Sequence, residues 1–68
     1  MSYLLLFDIP KGETILAVKV NRLLKSIDAK KMQNSVWKSE NIKELMKIAI
    51  WIRNCGGLAS ILEENVVF

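Results

Sequence analysis

The sequence predicts a single α+β domain, an antiparallel sheet carrying two helices on one face. Three observations predict it. The chain opens on an apolar run, "YLLLFDI". Two longer stretches repeat apolar residues at helical spacing, and a β-like segment follows each of them. The resulting order is strand, helix, strand, helix, strand, which suits a split βαβ arrangement with the middle strand bent in two.

Residues 3–9 read as the first strand, a continuous apolar run of the kind found in central strands. Pro10 has no N–H for a ladder and ends it, and Lys11-Gly12 completes a turn. Residues 13–27 read as the first helix. Leu16, Val20, Leu23, Leu24 and Ile27 recur on one face, and Lys19, Arg22 and Lys25 lie on the other. Residues 30–38 read as a strand with no cleanly apolar face. A bend near Asn34-Ser35 would bring Val36 or Trp37 into register and split the segment into two short strands.

Residues 41–54 read as the second helix. Asn41 is placed to cap it, with Glu44 in the capping-box position. Ile42, Leu45, Met46, Ala49 and Ile52 form its core stripe, while Ile48, Ile50 and Trp51 widen the apolar arc. Gly56-Gly57 is a helix stop, and residues 58–68 supply a last strand or two. Met32 and Met46 read as core filler, Trp37 and Trp51 as core or interface, and Cys55 as a small buried residue at a helix end. The whole, residues 1–68, is a ferredoxin-like domain in this reading.

Composition narrows the chemistry. A chain of 68 residues buries only about 60% of its unfolded surface, yet 51% of these residues are hydrophobic. That mismatch favours a homodimer with apolar surface between subunits. No apolar run reaches the ~20 residues of a membrane span, and Met1-Ser2 lacks the basic region of a signal peptide, so the expected location is cytoplasmic. With no histidine and one cysteine, the usual zinc sites and Ser-His or Cys-His catalysis are excluded. A metal site here has to use oxygen ligands, which suits magnesium, manganese or calcium.

Two sets of residues carry the functional expectations. Asp8 ends an apolar strand, either as a turn former bonded to the amides of Lys11 or Gly12, or as a metal ligand at the sheet's end. One carboxylate makes a poor magnesium site, whereas two across a dimer axis make a serviceable one. The net charge of +3 is concentrated in the middle of the chain. There Arg22, Lys30, Lys31 and Lys38 are candidate phosphate contacts, of the salt-sensitive and sequence-blind kind. Ser35 is a sheet hydrogen-bonder rather than a nucleophile, since no base is available to activate it.

"YLLLFDIP" and "VNRLLKSIDAKKMQNSVWKSE" together resemble the CRISPR-associated Cas-two family, the small partner of the spacer-acquisition integrase. The first matches that family's opening strand ending in Asp-Ile. The second matches its helix leading to a Gln-x-Ser-Val-aromatic strand, here Gln33, Ser35, Val36 and Trp37. The resemblance covers residues 3–40, and it departs at Pro10-Lys11-Gly12 and at Asn34. It implies a ferredoxin-like homodimer whose two Asp8 side chains face each other and share a divalent metal, usually magnesium. It further implies RNA or duplex DNA as partner, the integrase as a second partner, and an endonuclease activity in some members. A non-enzymatic scaffold on the same fold, or a toxin-like ribonuclease on a related one, stays open beside it.

Overall fold

The computed structural model describes residues 2–65. Six elements follow in order: β1 (Tyr3–Asp8), α1 (Thr14–Ser26), β2 (Lys30–Gln33), β3 (Val36–Ser39), α2 (Ile42–Asn54) and β4 (Leu58–Glu63). The four strands make one antiparallel sheet in the order β2-β3-β1-β4. This is the α+β, ferredoxin-like arrangement expected from the sequence. The segment over 30–38 is indeed two strands, turning at Asn34-Ser35, with an irregularity between Lys31 and Gln33 in its pairing. The expectation for residues 66–68 lies outside the described residues.

Both helices lie on one face of the sheet. Leu5, Trp37 and Ala59 from the strands pack with Leu16, Val20 and Leu24 of α1 and with Leu45, Ile48, Ala49 and Ile52 of α2. Trp37 is therefore core, as its residue type suggests. Three expectations fail. Cys55 is exposed, because it is the C-cap of α2 and projects beyond the last packed turn. Met32 and Met46 are about half exposed (48% and 51%), since Met32 lies in the irregular part of edge strand β2 and Met46 flanks the contact between α2 and the sheet. Leu23, 42% exposed, drops out of the α1 core stripe, which is the single row Leu16, Val20 and Leu24.

The helix ends obey local rules. Asn41 accepts a hydrogen bond from the amide of Glu44 (3.2 Å). Half of the anticipated capping box is missing: the Asn41 amide donates to Ser39 Oγ (3.0 Å), and Glu44 instead pairs with Lys47. Both helices end in a Schellman motif. In α2, Gly57 N–H donates to Ile52 O and Gly56 N–H to Arg53 O, with Gly56 at φ 89°. In α1, Ala29 N–H donates to Leu24 O and Asp28 N–H to Lys25 O.

Asp28 takes the left-handed position (φ 57°) where α2 uses glycine. Asp28→Gly should therefore raise stability by about 0.5–1 kcal/mol, the relieved strain outweighing glycine's extra unfolded-chain entropy. Thermal unfolding checks it: the melting temperature should rise by a few degrees.

Candidate functional site

Strand alternation assigns every sheet residue to a face. Leu5 is fully buried under the helices, so Leu4, Leu6 and Asp8 point to the opposite, helix-free face. By the same register Val36 and Lys38 of β3 and Leu58, Ser60 and Leu62 of β4 share that face. Two of its apolar residues, Leu58 (70%) and Leu62 (52%), are open to solvent, while Leu4, Leu6 and Val36 are half-buried. Together they make a sheet face that no helix of this chain covers.

Asp8 stands at one end of this face. It is exposed, and its carboxylate makes no hydrogen bond or ion pair among the described residues. It does not bond the amides of Lys11 or Gly12; that turn is closed by Glu13 N–H donating to Pro10 O (3.2 Å). Asp8, Leu6, Leu58 and Ser60 line a shallow depression. Among the described residues no group of three or more acidic, histidine or cysteine side chains converges on a point. One protomer thus offers a cation a single free carboxylate and does not by itself fit a metal site.

The four basic candidates divide between two sides. Lys30 pairs with Lys38 in the register and shares the helix-free face, whereas Lys31 pairs with Trp37 and shares the helix side. Arg22 is exposed on α1, also on the helix side. Lys38 is engaged by Glu64 at 2.9 Å, with both groups partly covered. Lys30 is therefore the one of the four that joins Asp8's face with no ion-pair partner among the described residues.

Ser35 lies in the β2–β3 turn and contributes its backbone carbonyl, which accepts from Phe7 N–H (3.1 Å). A second concavity was not anticipated from sequence. It is a groove of about 390 Å3 between α2 and the outer edge of β4, floored by Met46 and Ile50 and bounded by Arg53 and Glu63. The surplus apolar residues of α2 were its sequence signal.

The fold and its surfaces define a split βαβ domain with an apolar, helix-free sheet face that ends in a free carboxylate. No protein-family model matches the chain, and no curated protein matches it. Among the described residues no helix is long and apolar enough to cross a membrane.

Proposed function

We propose that the chain works as a nucleic-acid-binding homodimer in CRISPR spacer acquisition, in the manner of the Cas-two family it resembles, with magnesium-dependent phosphodiester hydrolysis at paired Asp8 carboxylates. The observation that carries this reading is the position of Asp8, free and exposed at the end of an uncovered apolar sheet face. Two copies stacked face to face bury Leu4, Leu6 and Leu62 and set one Asp8 against the other.

The pairing supplies what one protomer lacks. Two Asp8 carboxylates would give a hard divalent cation two anionic oxygens and leave the rest of its shell to substrate phosphate and water. Bound there, magnesium supplies charge stabilisation at the phosphoryl oxygens and a more acidic water. Lys30, on the same side, meets the phosphate backbone as a point charge; Arg22 and Lys31 lie on the other side and add to the long-range attraction of nucleic acid.

Asp8→Asn tests the reading. Asparagine keeps the shape and a carbonyl oxygen but removes the anion. Cleavage of RNA or duplex DNA with magnesium should be lost, and so should any magnesium-dependent rise in melting temperature, while nucleic-acid binding persists. Without metal the variant dimer should be the more stable, because two facing carboxylates repel. Wild-type protein that neither cleaves nor responds to magnesium would defeat the hydrolytic part and leave a protein-interaction scaffold.

A further inference from the structure

We propose that the groove between α2 and β4 captures the free C-terminus of a partner protein, added as an extended strand to the edge of the sheet. The inference does not rest on Asp8 or on the helix-free face. Its first support is the backbone. Phe7 N–H is directed to β3, so Tyr3, Leu5 and Phe7 turn their backbone groups toward β3. Their partners in β4, Glu63, Ile61 and Ala59, consequently turn theirs away from β1. With β4 at the sheet edge, the N–H and C=O of Ile61 have no ladder partner among the described residues. An edge of this kind is a template for an added strand.

The second support is the side chains beside that edge. A residue placed opposite Ile61 sends its side chain to the helix side, onto Met46 and Ile50, which are 51% and 56% exposed. The site therefore favours an apolar residue there.

Charge sets the direction and the terminus. Arg53 Nε donates to the outward carbonyl of Ala59 (3.0 Å), so an added strand loses its pairing partner at that point. The guanidinium there retains further N–H donors and has no acidic partner among the described residues. A chain that ends at this point places its carboxylate on Arg53. Glu63 bounds the other end of the groove, where it favours a basic side chain. The occupant thus runs antiparallel to β4. It carries an apolar residue at its third-last position and a basic residue at its fifth-last.

A labelled pentapeptide, lysine-serine-valine-serine-valine, tests this by fluorescence anisotropy with the full chain, as the free acid and as the C-terminal amide. The acid should bind at least about tenfold more tightly than the amide, the worth of a charge-assisted hydrogen bond. Arg53→Gln keeps a donor for Ala59 and should erase that difference; Arg53→Lys should restore part of it. Ile50→Glu, at an exposed position that the fold does not depend on, should abolish binding. The Ile61 amide should become protected from hydrogen exchange when the acid binds. Equal binding of acid and amide, no binding of either, or an Ile61 amide that stays unprotected would each overturn the proposal.

Discussion

Leu6→Glu should leave the fold intact and turn the proposed dimer into a monomer. Leu6 sits in the middle of the helix-free face, with Val36 and Ser60 as its cross-strand neighbours. In an isolated protomer the new carboxylate is simply solvated. In the proposed face-to-face dimer it would be buried against its own copy, and an unpaired buried ion costs several kcal/mol. Association should weaken on the order of a thousandfold or more. Leu5→Glu, one residue away, should do something quite different. Leu5 is fully buried among the helices, so a charge there unfolds the domain. Light scattering and circular dichroism distinguish the two outcomes: a folded species of 7.8 kDa for Leu6→Glu, and lost secondary structure for Leu5→Glu. Wild-type protein already at 7.8 kDa at micromolar concentration would remove the paired-aspartate reading with it.

This contrast also marks what could be read from the sequence. Most local rules held, although Glu44 does not complete the capping box and Asp8 does not bond the turn after it. Asn34-Ser35 was found because strict alternation broke down there, and a break in period is what a turn imposes. Asn41 and Gly56 act at their own helix ends through bonds within one turn. The other failures were non-local. The apolar arc of α2 is wider than the strip that the sheet covers, so sequence alone did not show that Ile48 goes in while Met46 and Ile50 stay out. That depends on where β4 stops. Lys38 was legible as basic and on a strand, but its partner Glu64 follows the strand on the far side of β1, a contact no periodicity encodes. Lys30 and Lys31 are adjacent candidates in the sequence, and alternation places them on opposite faces of the sheet. Asp8 was recognised as a strand exit; its face became clear only once Leu5 was known to be buried.

Gly57→Ala should be among the costliest single-methyl changes in the molecule, and for a reason that joins the fold to the candidate site. A Cβ at Gly57 would stand 2.7 Å from Ile52 Cγ2, 2.8 Å from the carbonyl oxygen of Asp8 and 3.2 Å from Ile52 O. The side chain of Ile52 is fully buried and has little room to give way. The two oxygens belong to backbone, one in the β1 ladder and one accepting the Gly57 N–H that closes α2. The loss is steric, unlike that at Gly56, where open space surrounds the Cβ position and the φ of 89° is the obstacle. Overpacking of this kind costs about 1–3 kcal/mol, a large part of the stability of a domain this small. Urea unfolding should show a lower midpoint with an unchanged slope. A second background locates the clash. Ile52→Ala removes the nearest atom but neither carbonyl, so Gly57→Ala should still destabilise that variant, by less than it destabilises the wild type. If the penalty vanished there, the Ile52 side chain alone would be responsible. If it persists, the methyl is pressing on Asp8 O and displaces the end of β1, and any magnesium-dependent rise in melting temperature should shrink in parallel with stability.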